Sequence, residues 1–331
     1  MEQPEKDRLT DALFDRELIS GEQRITIKAY HSLGIFSLRN ELSFLLYTAV
    51  LLFTSGIGIL IYQNIDSIGH MAILALILVM TGICFYFCFK KAPTFRWEET
   101  FFESPTYDYL VLLATILSCI FIGYVQVQYE PFGPGIGVMT LLSAAAALFS
   151  GYYFDNRSAL SIGVTGLIAF VGITITPRAV IDNNMYTTDA QTYTGIALAG
   201  LLAFWAEYAW RKNLKKHFRL VFDTFALHLA GLCCIKGMFE PYWFAMVPIL
   251  AGACFYFYRK SHEVNAISLF VFALVYGYIG VNILMAKFIE ATEFYEFFTV
   301  LTILAPVYFI ASIFLFIKLI KRFNQQSDDR D

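Results

Sequence analysis

Charge is scarce in this chain. Asp, Glu, Lys and Arg make up 15% of its 331 residues, against about 25% in soluble domains. That shortage argues against a water-soluble globule. An excess of one sign is also lacking: the net charge of -3 excludes a basic nucleic-acid-binding surface. The six cysteines, at 84, 88, 119, 233, 234 and 254, form no CxxC pair. Neither a zinc ribbon nor a disulfide framework is indicated, and the thiols read as small buried hydrophobes. HExxH and GxSxG do not occur, and the glycine-rich run at 133–137 lacks the Lys-Ser/Thr of a phosphate loop. The first forty residues contain no apolar run, so no cleavable signal peptide is expected. No catalytic residue, metal or cofactor is assigned.

What is present is hydrophobicity, 58% of residues with a mean hydropathy of +0.59, arranged in blocks long enough to cross about 30 Å of hydrocarbon as helices. We draw ten: Leu42–Tyr62, Ile68–Phe89, Tyr109–Val127, Ile136–Phe154, Ala159–Thr176, Thr194–Trp210, Leu220–Met238, Trp243–Tyr258, Val264–Met285 and Phe298–Leu319. This predicts an all-α, polytopic transmembrane bundle over residues 41–320. A cytosolic amphipathic helical element at 1–40 precedes it, and a charged cytosolic tail at 321–331 follows. Within the first element, Ser20-Gly21-Glu22-Gln23 is a capping box. The helix it opens is expected to bury Ile25, Ala29 and Tyr30 and to stop near Gly34.

The distribution of basic residues orients the bundle. With the N-terminus in the cytosol, 21 of the 24 Lys and Arg fall on the inner side, and only Arg178, Lys236 and Lys287 fall outside. Both termini are therefore expected in the cytosol. Three inner span ends run from aromatic to basic: FYFCFKK at 85–91, GYYFDNR at 151–157 and CFYFYRK at 254–260. An interfacial aromatic belt accounts for them. A second similarity pairs Asp108, Cys119-Ile120 and Glu130-Pro131 with Asp223, Cys234-Ile235 and Glu240-Pro241. Spans three and seven run in the same direction, which fits a parallel repeat as well as coincidence.

The N-terminal third carries a charged helix reading LTDALFDRELISGEQ at 9–23, then a small-residue-rich span closing on GIGILIYQNID at 56–66, then a second span at once, at about 68–89. In these features, over roughly 9–90, the chain resembles a family of bacterial polytopic membrane proteins catalogued as domain of unknown function 2157. The resemblance implies a bacterial inner-membrane protein with a cytosolic N-terminus. It implies no established activity.

An ionisable residue at the middle of a membrane helix costs roughly 2.5–3.5 kcal/mol on insertion scales, so each one is a candidate binding residue. His228 falls near the middle of span seven, with Asp223 toward the cytosol and Lys236 toward the outside. It reads either as a proton relay or headgroup ligand, or as a neutral histidine bonded to a neighbouring helix. Glu207 stands four residues before Arg211, the spacing of a helical ion pair. Asp108 and Asp223 each begin a span, where a carboxylate suits a helix N-terminus. Alternatively, Asp108, Glu207 and Asp223 gather with Arg211 in one inner cavity. Asn64, at the outer end of span one, caps a loop or faces a ligand. Glu290, Glu293 and Glu296, spaced by three in KFIEATEFYEFF, form a solvated acidic face or an outer cation site. Pro248 and Pro306 lie within spans and kink them, for packing or for a binding site. The run RKNLKKHFR at 211–219 reads as inside charge or as a seat for anionic headgroups.

Three functions follow. The sparse intramembrane charge favours a non-catalytic membrane component: a scaffold, sensor or subunit whose partners are membrane lipids and other membrane proteins. The prolines, the possible repeat and His228 support a small-molecule or lipid transporter of flippase type. An intramembrane enzyme on lipid-linked substrates would require the Asp108, Glu207 and Asp223 set to cluster.

Overall fold

The computed structural model describes residues 10–11, 13–14, 20–32, 39–92, 94–100, 105–133, 136–181, 188–292 and 295–328. Among them are eleven α-helices, one 3-10 turn and no strand. In order they are α1 Gly21–Ser32, α2 Arg39–Ile68, α3 His70–Lys91, α4 Pro105–Tyr129, α5 Gly137–Tyr153 and α6 Arg157–Ile181. Then come α7 Thr188–Arg211, the 3-10 turn Lys216–Phe218, α8 Arg219–Gly237, α9 Trp243–Val264, α10 Ile267–Thr292 and α11 Tyr295–Asp328. The helices from α2 to α11 coincide one for one with the ten apolar blocks. Five of them contain windows long and apolar enough to cross a membrane: His70–Lys91, Thr106–Tyr129, Lys216–Gly237, Ile267–Glu290 and Leu304–Gln325.

The chain divides into two compact units, Met1–Ile57 and Gly58–Asp331, and the boundary falls within α2. In the first unit the capping box forms as written. Gln23 N–H donates to Ser20 Oγ at 3.3 Å, and Ser20 N–H donates to Gln23 Oε1 at 2.8 Å. The expected apolar burial does not follow: Ile25 is 70% exposed and Ala29 is exposed, while Tyr30 and Gly34 lie outside the described side chains. Charge anchors α1 instead. Asp11 accepts from Arg24 at 2.8 Å and lies 2.6 Å from Lys28, and the Arg24 guanidinium rests 4.8 Å from the Phe14 ring centroid. The hydrogen bond from Lys28, then that from Arg24, holds the Asp11 carboxyl below its ordinary range against slight burial.

In the second unit, helices pack most extensively on their sequence neighbours. Gly69, the single residue between α2 and α3, has φ +81°. Glycine reaches that backbone without strain, which allows a one-residue connection. Asn156 caps α6, its Oδ1 accepting from Ala159 N–H at 2.8 Å. Asn265, with φ +52°, ends α9 in a left-handed cap.

The core centres on α8. Phe222, Ala226, Leu227 and Cys234 are buried there against Leu160 and Val164 of α6, Leu202 and Ala206 of α7, Met246 and Leu250 of α9, and Leu269 and Tyr276 of α10. Half of the apolar window of α8 is buried, but none of that of α11. Helix α11 instead presents Ile310, Ile313, Phe314 and Leu315 outward and docks through Phe323, which is 4% exposed and packs 4.5 Å from Phe270. A row of exposed apolar side chains on helices of this length suits hydrocarbon rather than water.

Helices α5 and α6 meet through small residues. A Cβ on Gly151 would lie 2.7 Å from Leu160 N, and one on Gly163 would lie 2.7 Å from Leu148 Cγ and 2.8 Å from Leu148 N. Without a hydrophobic drive between helices in lipid, such close approach supplies the packing energy. Gly163→Val is therefore expected to lower stability by about 1–3 kcal/mol through overpacking. Gly172→Ala, whose Cβ meets nothing within 4 Å, is expected to be neutral or slightly stabilising. Thermal unfolding in detergent checks both.

Candidate functional site

Two clusters of ionised side chains occupy the end of the second unit where α3, α5, α7 and α9 finish and α4, α6, α8 and α10 start. The first is built on Asp155, in the turn between α5 and α6 with φ +56°. Its carboxylate is 3% exposed. It accepts from Thr100 N–H at 2.7 Å, lies 3.2 Å from Lys215 Nζ, and makes a short hydrogen bond with His217 Nε2. Lys215 adopts φ +48°, and its buried ammonium sits 5.3 Å from the Phe95 centroid while its N–H donates to Trp97 O at 2.9 Å. Beside it, Arg157 pairs with Glu99 at 2.7 Å. One carboxylate thus joins the connections at 94–100, 154–156 and 212–218. Burial pushes the Asp155 carboxyl up, but the His217 and Thr100 hydrogen bonds and the neighbouring positive charges outweigh it and hold the group below the usual carboxylate range.

The aromatic-to-basic span ends pack beside this cluster. Phe89 meets Tyr153 at 5.3 Å and Phe154 at 4.9 Å, and Phe95 stacks on Tyr153 at 6.2 Å.

The second cluster links α7, α8 and α9. Glu207 Oε2 and Glu263 Oε2 each accept from Lys260 Nζ at 2.8 Å. Arg219 Nη2 lies 3.2 Å from Glu263 and 3.4 Å from Glu207, and its guanidinium covers the Trp210 ring at 4.7 Å. Arg211 pairs with Glu207 at 2.8 Å, the i,i+4 bridge expected from the sequence. Asp223 is 1% exposed and lies 3.4 Å from Arg219 Nε, yet neither of its oxygens has a well-aligned hydrogen bond. Glu263 is held below its ordinary range, first by the hydrogen bond from Lys260. Burial pulls Lys260 down, but its two carboxylate partners raise it overall.

The structure distributes the other candidates among helix interfaces. His228 hydrogen-bonds Tyr276 of α10, Nδ1 to hydroxyl at 2.9 Å, and meets Phe272 edge-on at 4.5 Å. Gly231, one turn along α8, admits the Tyr276 ring where a Cβ would lie 2.6 Å from it. A matching pair, His70 and Tyr124 at 2.8 Å, joins α3 to α4. Asp108 accepts from Asn156 Nδ2 at 3.0 Å through its carbonyl and at 3.5 Å through its carboxylate. The alternative gathering of Asp108 with Glu207 and Asp223 is thus divided: the last two share Arg219, while Asp108 has other partners. Lys236 donates to Gln191 Oε1 at 3.0 Å. Glu290 pairs with Lys287 at 3.2 Å. Glu293 and the side chains of Glu296 and Asn64 lie outside the described residues.

Sequence reasoning missed Asp155, Lys215, His217, Lys260 and Glu263. It read 211–219 as inside charge or a seat for anionic headgroups, whereas Lys215 is 2% and Arg219 6% exposed. The signal available was the one carboxylate within the aromatic-to-basic stretch GYYFDNR at 151–157.

Among the described residues these features define an all-helical protein of membrane type, with ion-paired side chains gathered chiefly at one end of the second unit. Residues 11–160 match the family described as predicted membrane protein, domain of unknown function 2157. The match takes in Asp155 and stops before its partners Lys215 and His217. No curated protein and no solved structure matches the chain.

Removing one partner of a buried ion pair costs about 3–5 kcal/mol, so Asp155→Asn is expected to lower the unfolding temperature markedly. Glu263→Gln, whose side chain is 45% exposed, is expected to cost at most about 1 kcal/mol. The Asp155 carboxyl titrates lower when folded than unfolded. Its stabilisation is accordingly complete above the unfolded value of about 4 and lost as pH falls through the lower folded value. Unfolding curves of wild type and Asp155→Asn are expected to converge only under strongly acid conditions.

Proposed function

We propose that the chain is a non-catalytic component of a bacterial inner membrane, a helical scaffold or subunit that crosses the bilayer ten times with both termini in the cytosol. The observation that carries this reading is the use to which its charges are put. Glu207, Lys260, Glu263 and Arg219 bind one another across three helices, and His228 binds Tyr276. Groups neutralised in pairs at helix contacts stabilise a fixed arrangement and leave little for an ion path, which needs a series of accessible polar side chains. The two described cavities are lined by none of these residues. The split of Asp108 from Glu207 and Asp223 weighs against acid–base chemistry, which requires such groups in one place. The basic loops at a single end support the proposed orientation.

The transporter reading keeps one specific support: Pro248 and Pro306 stand inside α9 and α11, where each frees a backbone carbonyl.

Single cysteines at 223 and 228, in a background lacking the native thiols, separate the two readings. A scaffold is expected to leave both unlabelled by a membrane-impermeant maleimide from either face. Labelling of either one from water would sink the scaffold reading in favour of a path. A double-mutant cycle on His228→Leu and Tyr276→Phe is expected to give a coupling near 0.6 kcal/mol, the average for hydrogen bonds between membrane helices, with both single variants folded.

A further inference from the structure

Basic residues concentrate at one end of the span pattern, so the exceptions carry information. Arg178, Lys236 and Lys287 belong to the other end, and the side chain of Arg178 lies outside the described residues. The remaining two share a setting. Each lysine stands at the edge of a cavity walled mainly by apolar side chains, and each has a glutamate close along the chain, Glu240 and Glu290.

The cavity at Lys236 has a volume of about 220 Å³ and lies between α6, α7 and α8. Ile168 and Val171 form one wall, Leu198 the second, Leu229 and Leu232 the third. Leu232 is 59% exposed, so the slot opens sideways toward the surroundings of the bundle. Gly172 lines it with an empty position: a Cβ there meets nothing within 4 Å. Polar groups collect at one end only. Lys236 Nζ donates to Gln191 Oε1 at 3.0 Å, and next to Gln191 the Thr192 hydroxyl donates to Glu240 Oε1 at 3.2 Å. A cation, Lys236, therefore lines one end of an apolar slot, and an anion, Glu240, stands behind the lining Thr192, the two linked through adjacent residues of α7. Lys236 lies seventeen residues along α8 from Arg219, roughly 25 Å at 1.5 Å per residue. With Arg219 at one interface, Lys236 is at headgroup depth of the opposite leaflet.

We propose that this slot binds one phospholipid of that leaflet, a lipid whose headgroup carries both a phosphate and a primary amine. The acyl chain lies against Ile168, Leu198 and Leu229. The phosphate accepts from Lys236 Nζ, and the ammonium donates to Glu240. An ammonium side chain is a point-charge partner for phosphate, and the Glu240 carboxylate, bonded to the slot-lining Thr192, disfavours a headgroup that is only negative. The second cavity repeats the pattern, with Lys287 and Glu290 3.2 Å apart at its edge. The inference rests on the membrane-crossing reading of α8 but not on the scaffold role, because a lipid seat is compatible with a transporter as well.

Native mass spectrometry of the detergent-extracted full chain tests it, in a Lys287→Gln background that disables the second cavity. Phosphatidylethanolamine, phosphatidylglycerol and phosphatidylcholine with the same acyl chains are titrated separately. We expect one ethanolamine lipid retained at least five-fold more tightly than either competitor. Lys236→Gln and Gly172→Leu are each expected to weaken it at least five-fold, with the lipid-free unfolding temperature unchanged. Gly172→Leu fills the slot without touching charge, so it stands even where the lysine variant folds poorly. Three results would overturn the proposal: equal retention of the three lipids or preference for the glycerol headgroup, unaltered binding by Gly172→Leu, or equal thermal stabilisation by inorganic phosphate.

Discussion

A single buried carboxylate, Asp155, constrains one end of the second unit. It lies in a turn, not in a helix, and its partners come from two other connections, through Thr100, Lys215 and His217. A carboxylate at 3% exposure is costly unless fully compensated. Here compensation comes from two side chains and a backbone N–H. The left-handed backbone at Asp155 and Lys215 aims both side chains inward, so local strain and ion pairing belong to one device. Where these loops are held, the helix ends that flank them are held too.

The apolar part of the unit follows a different rule. Lipid tails are as hydrophobic as leucine, so burial alone does not drive one membrane helix onto another. Contact has to come from fit. Gly151, Gly163 and Gly231 supply it by removing a Cβ where a neighbouring backbone or ring arrives. The Tyr276 ring beside Gly231 then reaches His228, which turns a packing contact into a directional one. The central place of α8 reflects this combination: ion pairs at its start, a histidine in its middle and a lysine at its end.

The ten apolar blocks were legible because length and hydropathy act locally and over twenty residues at a time; every block became a helix. The Ser20–Gln23 capping box was legible for the same reason. Asp155 was not, because its partners lie about sixty residues away and no local periodicity records them. Arg219 and Lys215 were concealed by their surroundings. A basic residue kept at a membrane face and one buried in an ion pair leave the same letter in the same loop. His228 stood out as an intramembrane histidine, but with 20 tyrosines in the chain nothing in the pattern pointed to Tyr276. Ile25 was misplaced because a capping box specifies where a helix starts, not what its apolar face meets.

The 62-residue separation of Asp155 from His217 also sets an order of events during synthesis. At about 5–20 residues per second, the ribosome finishes the α5–α6 turn roughly 3–12 s before the imidazole that binds it exists. Through that interval the carboxylate lacks both of its side-chain partners, Lys215 and His217. The clasp closes only when α7 has been made and the chain has reached the start of α8, so a lock on the α5–α6 turn depends on residues translated about sixty positions after it.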